Sequence, residues 1–479
     1  MRWWIRGPSI RLGTSRFLLV GKRAIRISLD EARSHIHVLG KTGSGKSYFL
    51  ASLFLQLLAA DLPATLIDPH GDLAEFVLAH LLQRGFFADA AGYQRLMYLD
   101  LPAAAASQKY LPFNYLAQPY DDHAMAELVA EACRRAWPEL ATGAPTFENI
   151  LKHSVIALRQ NNLPLTRLAD LLTDNVLRNE LLSNVTDPQV IRFFRLRMDQ
   201  WGRDAPQMKE STLNRADLLT LSPVLRYSLG QQRNVLSFRE IIDSGTSLIV
   251  NLALPHHDAR RLFGCLLTVG MESAALSRAG DSPAQSRKSH HLVIDEFSQF
   301  TAQSEQALTR MLSETRKYGL FSVMAHQNWS QASERLRGAL QNVGIEVILK
   351  AGRMDAEYSA RILGSVDPMT VKHVVVDEKT VDRTHPAYLS LPEQWEGQVQ
   401  AIQRLRVGEA IIRLSDDSVH KVHTCKLPPL RTRPEELSAV RAEYLKRYFE
   451  PASTVHLLQP FRSGLAQPIG RRPGRSQPK

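Results

Sequence analysis

Eight residues near the start of the chain, Gly40-Lys41-Thr42-Gly43-Ser44-Gly45-Lys46-Ser47, fit the pattern G-x-x-x-x-G-K-[ST] at every position. They follow a short apolar stretch of strand character, Ile36-His37-Val38-Leu39, and lead into the most apolar run of the chain, Phe49 to Ala60, which suits a helix. A strand, a glycine turn and a helix start in that order bring backbone N–H groups and the positive end of a helix dipole to one point, and such a point binds phosphate. Lys46 would place its ammonium on the β and γ phosphates of a nucleotide, and the Ser47 hydroxyl would ligate Mg²⁺. A chance Gly/Ser/Lys loop has no reason to sit between a strand and a helix. ATP and Mg²⁺ are therefore the expected cofactors.

The rest of the chain fits an α/β fold. A strand ending in Ile67-Asp68 is expected beside the strand of the phosphate loop, followed by a helix over Leu73–Gln83 and a third strand, Leu96–Leu99. From about Asp121 to Tyr227 the pattern changes to amphipathic helices, among them Ala124–Trp137, Thr146–Arg159 and Gln189–Trp201. Strands resume at Ser247–Leu252, His291–Asp295, Phe321–Ala325 and Ile345–Ala351. The expected organisation is a β-hairpin segment over 1–33 and an ATPase core split between 34–114 and 233–425. An all-α domain is inserted at 115–232, and a C-terminal helix with a basic, disordered tail covers 426–479.

Parallel strands line their ligand crevice with residues at their carboxyl ends, which singles out further positions. His291-Leu292-Val293-Ile294 ends in Asp295-Glu296, where Asp295 would support Mg²⁺ and Glu296 would polarise the attacking water. Asp68 would touch the metal or the water; the alternative is a turn, with Asp72 capping the next helix. Gln327, after the strand ending in His326, would sense the γ phosphate; otherwise it is a surface polar residue. Arg316 could stabilise charge on a transferred phosphoryl group, although spacing alone favours a solvated helix end, and Arg353 is a weaker candidate of the same kind.

Composition narrows the partners. The formal charge of +11 favours polyanions, nucleic acid or an anionic membrane surface. Cys133, Cys265 and Cys425 are too far apart for a metal or disulfide frame and read as reduced, mostly buried thiols. The doublets His256-His257 and His290-His291 read as ordinary loop or strand-edge histidines. No segment reaches the ~18 apolar residues of a spanning helix, and Met1-Arg2-Trp3-Trp4-Ile5-Arg6 lacks the apolar centre of a signal peptide.

With these residues in hand, the chain resembles the HerA/FtsK group of DNA-pumping ATPases. Within that group it is most similar to conjugative coupling proteins of type IV secretion, the TraG/TraD type, from about residue 12 to residue 400. The likeness rests on the phosphate loop at 40–47, Ile-Asp-Pro-His-Gly-Asp at 67–72 and Val-Ile-Asp-Glu-Phe at 293–297. It also rests on Arg-Lys-Tyr-Gly-Leu at 316–320 with His-Gln at 326–327, and on Leu-Leu-Thr-Asp at 171–174 within the helical insertion.

The resemblance implies a RecA-like P-loop NTPase core with a mostly parallel sheet, assembled as a homo-hexamer with nucleotide between subunits. Arg316 matches the family's trans-acting arginine finger and Gln327 its sensor glutamine. DNA would pass through the central channel, and the helical domain would receive a relaxase–DNA substrate. Coupling proteins usually carry an N-terminal membrane anchor that the sequence does not display. The expectation is a cytoplasmic protein brought to the inner membrane face only through a partner, such as another type IV secretion component. The alternatives are a soluble HerA-like DNA-processing motor working with a nuclease, and a protein-secretion ATPase.

Overall fold

The computed structural model describes residues 8–17, 21–137, 139, 145–280, 283, 287–301, 311–331, 334–340, 343–363, 369–376 and 384–452. The first six residues, and residues 453–479 where the basic tail is expected, lie outside them.

Eleven strands form one sheet. They are β1 (Ser9–Phe17), β2 (Gly21–Ser28), β3 (Ile36–Leu39), β4 (Ala64–Asp68), β5 (Leu96–Asp100) and β6 (Ser247–Asn251), then β7 (His290–Ile294), β8 (Leu320–His326), β9 (Ile345–Ile348), β10 (Glu409–Arg413) and β11 (Val419–Thr424). The spatial order is β2-β1-β11-β10-β9-β3-β8-β7-β4-β6-β5. From β9 to β5 all neighbours run parallel. From β2 to β9 all pairings are antiparallel.

Two expectations change here. The strand ending in Asp68 is not beside the phosphate-loop strand, because β8 and β7 lie between β3 and β4. The hairpin of β1 and β2 is continuous with the main sheet through β11, rather than standing ahead of it.

The parallel strands are buried along their whole length, including every residue of β3 to β9. That requires cover on both faces. Helix α1 (Lys46–Ala59) is apolar nearly all round and buries Phe49, Leu50, Leu53, Phe54, Leu55, Leu57 and Leu58, as a helix does when it lies inside the core rather than on its surface. Helix α2 (Asp72–Gln83) buries Leu73, Val77, Leu78 and Leu81. Helix α3 (His257–Leu276) connects β6 to β7, α4 (Leu391–Gln403) precedes β10, and α5 (Pro434–Tyr448) follows β11. At the outer strand β5, the Tyr444 hydroxyl of α5 donates to the Leu96 carbonyl at 2.9 Å, which satisfies part of the exposed strand edge.

The chain divides into two compact units. One comprises 1–111, 127–144 and 235–450; the other comprises 112–126, 145–234 and 451–479. The second is mainly helical in its described residues; the exceptions include an isolated bridge between Phe113 and Asn234 and Pro451, the end of a two-residue strand. Its helix Pro145–Gln160 matches the expected span, and the segment expected to be helical over Gln189–Trp201 is helical throughout but changes pitch along its length. A helix ends at Arg192, a wider turn follows over Phe193–Met198, and Gly202 adopts φ 49°, a left-handed conformation that interrupts a right-handed helix. Among the described residues no helix is long and apolar enough to cross a membrane.

Candidate nucleotide-binding site

Because the seven parallel strands share one direction, their carboxyl ends define one edge. The loop Gly40–Ser47 leaves β3 there, Asp68 ends β4, Asp295-Glu296 follow β7, and Gln327 follows β8. The loop is shaped by its glycines. Gly45 has φ 99°, a region that L side chains rarely enter, and a Cβ there would stand 3.1 Å from the Gly408 nitrogen. A Cβ on Gly40 would meet Ser44 Oγ at 2.6 Å and Leu349 Cβ at 2.9 Å. The Gly40 and Lys41 N–H groups donate to the carbonyls of His326 and Lys350, tying the loop to strand ends on either side.

Lys46 is buried, as are Asp295 and Glu296. Its ammonium lies 3.0 Å from Asp295 Oδ1 and also contacts Glu296 Oε1. Gln327 Nε2 donates to the same Glu296 oxygen at 3.0 Å, and Thr42 Oγ1 donates to Gln327 Oε1 at 3.0 Å. Phosphate loop, carboxylate pair and glutamine thus form one hydrogen-bonded cluster. Glu296 has φ 49°, one of five described non-glycine residues with a positive φ. Strain of this kind survives where the surroundings force it, and here it aims the carboxylate back toward the loop.

One lysine faces two carboxylates, and a third, Asp68, is close enough to Asp295 for the two to repel. The cluster's excess of negative charge suits a divalent cation. Ser47, Asp295 and Glu296 offer oxygen donors, which Mg²⁺ prefers, and Mg²⁺ takes few protein ligands when phosphates supply the rest. Ser44 Oγ is buried without a hydrogen-bond partner among the described residues, an orphan that a phosphate oxygen would satisfy. The residues present fit a nucleotide with its metal.

Asp68 supports the turn that follows its strand. Its Oδ1 accepts from the His70 N–H and its Oδ2 from the Ala74 N–H, both at 2.9 Å. The helix N-cap is Gly71, which has no side chain to offer, and Asp72 lies inside the first turn. Asp68, not Asp72, therefore satisfies the open N–H of α2. Burial pushes the Asp68 carboxyl pKa up, while these backbone bonds hold it down.

Arg316 sits at the other edge of the sheet. It lies in the turn Thr315–Tyr318 just before β8 begins, and its charge reaches His35, just before β3 begins. β8 runs seven residues from there to Gln327, about 20 Å of strand. Arg316 is exposed and lies far from its own chain's phosphate loop. Arg353 is held by Glu396 through two 2.7 Å bonds and by Glu357 at 2.5 Å, so its guanidinium is already engaged.

Sequence reasoning missed the segment Val407-Gly408. The Gly408 N–H donates to the Ser44 carbonyl at 3.2 Å, and Val407 is 73% exposed beside the loop. Some 360 residues separate the two segments, and nothing local marks the pairing.

Comparison with known proteins follows the same lines. A family model described as the type IV secretion-system coupling protein DNA-binding domain matches residues 22–376. No curated protein matches the sequence. Among solved structures, the unbound bacterial conjugative coupling protein TrwBdeltaN70 is similar over 84% of this chain and 87% of its own, with 17% identity and a TM-score of 0.56. TrwB in complex with ADP and Mg²⁺ is similar over 84% and 88%, with 16% identity and a TM-score of 0.55. VirB4 of Thermoanaerobacter pseudethanolicus is similar over 90% and 98%, with 14% identity and a TM-score of 0.54.

Proposed function

The chain belongs to the family of type IV secretion-system coupling protein DNA-binding domains, and from that premise we propose that it hydrolyses ATP at the interfaces of a homo-hexameric ring to move DNA. The observation that carries the reading is the cluster at the carboxyl edge, where Lys46, Asp295, Glu296 and Gln327 meet in one bonded group.

In this reading the loop N–H groups and Lys46 hold the β and γ phosphates, while Ser47 and Asp295 hold Mg²⁺. When bound, the metal would supply positive charge beside the phosphates. Glu296 accepts a proton from the attacking water, and Gln327, already bonded to that carboxylate, keeps it oriented. Asp68 works one step back: it fixes the turn before α2 and lends negative charge beside Asp295. Arg316 completes the site of a neighbouring subunit, since its own loop lies at the opposite edge of the sheet. The TrwB structure solved with ADP and Mg²⁺ supports the choice of ligand. The family description and the +11 charge support DNA as cargo. The helical unit receives the relaxase–DNA substrate, and the secretion machinery recruits the ring to the inner membrane face.

Glu296→Gln tests the assignment. The amide keeps the shape and loses the base, so nucleotide binding should persist while kcat falls about 10²- to 10⁴-fold. Full turnover by that variant would refute the role given to Glu296.

A further inference from the structure

Beneath the phosphate loop, four polar side chains cross the sheet in a line. Arg413 ends β10, Glu346 lies in β9, His37 in β3 and His326 at the end of β8, and these four strands are consecutive neighbours. The register sets Arg413 opposite Glu346 and Glu346 opposite His37; His326 stands opposite Leu39, two residues from His37 and so on the same face. The contacts follow. Arg413 Nη2 is 3.4 Å from Glu346 Oε2, Glu346 Oε1 is 3.1 Å from His37 Nδ1, and His37 Nε2 is 2.7 Å from His326 Nε2. Glu346, His37 and His326 are fully buried. Arg413 opens toward solvent, where it also meets Asp417 at 3.1 Å.

Two imidazole nitrogens at that distance share one proton, one donating and the other accepting. With Glu346 accepting at Nδ1–H, a neutral His37 accepts at Nε2 and His326 donates. Burial, followed by the neighbouring His37 and Lys46, holds the His326 pKa well below the usual histidine range, which keeps that ring uncharged. A buried line of this kind is costly in an apolar core and tolerates no sliding of one strand past another.

What the line fixes is the catalytic edge. His326 directly precedes Gln327. Its carbonyl accepts from the Gly40 N–H at 3.2 Å, at the start of the phosphate loop. Its ring packs 5.1 Å from Phe297, the residue after Glu296, and 5.3 Å from Trp329. The Phe297 N–H in turn donates to the Ala325 carbonyl at 3.0 Å. One histidine thus touches the flanks of all three segments that build the site.

We propose that Arg413, Glu346 and His37 are positioning residues that act through His326 to hold Gln327 and Glu296 against the phosphate loop. The proposal rests on the hydrolysis reading above. None of the three touches nucleotide or metal in that reading, so their effect is on turnover and not on binding.

The test compares His37→Phe, which keeps the ring volume and loses both hydrogen bonds, with His37→Gln, which can still donate to Glu346 and accept from His326. ATP turnover is measured alongside thermal unfolding, each substitution alone and with Gln327→Ala. His37→Phe should lower kcat about tenfold or more with KM unchanged. His37→Gln should restore most of the rate, and His37→Phe should cost several-fold less in the Gln327→Ala background than alone, because only the part acting on Glu296 remains. Arg413→Gln, at the solvent end, should lower kcat in the same direction in a folded protein, and it decides the matter if His37→Phe does not fold. Wild-type kcat in Arg413→Gln or in a folded His37→Phe, or losses that multiply in full with Gln327→Ala, would overturn the proposal. Absence of turnover in the unaltered chain would instead overturn the hydrolysis reading itself.

Discussion

Three histidines occupy places where a positive charge is hard to keep. His290 and His291 open β7 and His35 precedes β3, all buried. Burial, reinforced by nearby cationic groups, lowers His35 and His291 to about 4 and His290 to about 3. The unfolded chain titrates these groups near 6.5. Their contribution to stability is therefore complete above that pH and is lost as pH falls toward 4, because only the unfolded chain takes up the protons. Each should steepen the loss by about 1.4 kcal/mol per pH unit. The raised pKa of Asp68 acts in the opposite sense, adding stability on acidification. Denaturant midpoints at pH 7.5, 6 and 5 should fall, with a shallower slope in His290→Gln; a flat profile would contradict the burial of these rings. The histidine doublet had read as ordinary loop or strand-edge residues. Its burial and its bonds to Thr65 Oγ1 and the Ala32 carbonyl depend on neighbouring segments that local sequence does not reveal. The Asp295-Glu296 pair was legible because an apolar strand ending in two acids is a local pattern. The left-handed backbone of Glu296, which turns its carboxylate onto Lys46, was not.

At the scale of elements, α2 begins without a cap of its own. Gly71 at the N-cap is left-handed, and Asp68 reaches across the turn to accept from Ala74. Asp68→Ala should cost about 1–3 kcal/mol, since it leaves two backbone N–H groups without their acceptor. Chemical denaturation measures this, and an unchanged midpoint would show that the turn holds without the carboxylate. β3, the phosphate loop and α1 were legible as a unit because their order is contiguous in sequence. The separation of β4 from β3 was not, because β7 and β8, which fill the gap, arrive more than 200 residues later. The hairpin of β1 and β2 was legible as a pair, but its joining to the sheet needs β11 from the far end of the chain.

For the whole molecule, the decisive relation is between two edges of one sheet. Phosphate loop, carboxylates and glutamine lie at the carboxyl edge, and Arg316 lies at the amino edge. Spacing alone favours a solvated helix end for Arg316; the fold sets it at the amino edge, a strand's length from its own phosphate loop, and the proposed role in a neighbouring site is open to a direct test. Lys46→Ala and Arg316→Ala should each be inactive alone. Mixed in equal amounts and allowed to reassemble, they should recover up to about a quarter of wild-type turnover, because a random ring pairs an intact loop with an intact arginine at that fraction of interfaces. Co-assembly without recovery would contradict an arginine acting between subunits.

Whether DNA drives ATP hydrolysis is read by steady-state turnover of the purified protein with and without single- and double-stranded DNA, with Lys46→Ala as the blank, across a salt series. Strong stimulation by one DNA form is expected, absent in the variant and weakening steeply as salt rises, because phosphate contacts release counterions. Hydrolysis indifferent to both DNAs at every salt concentration would contradict that expectation and would point to a protein cargo.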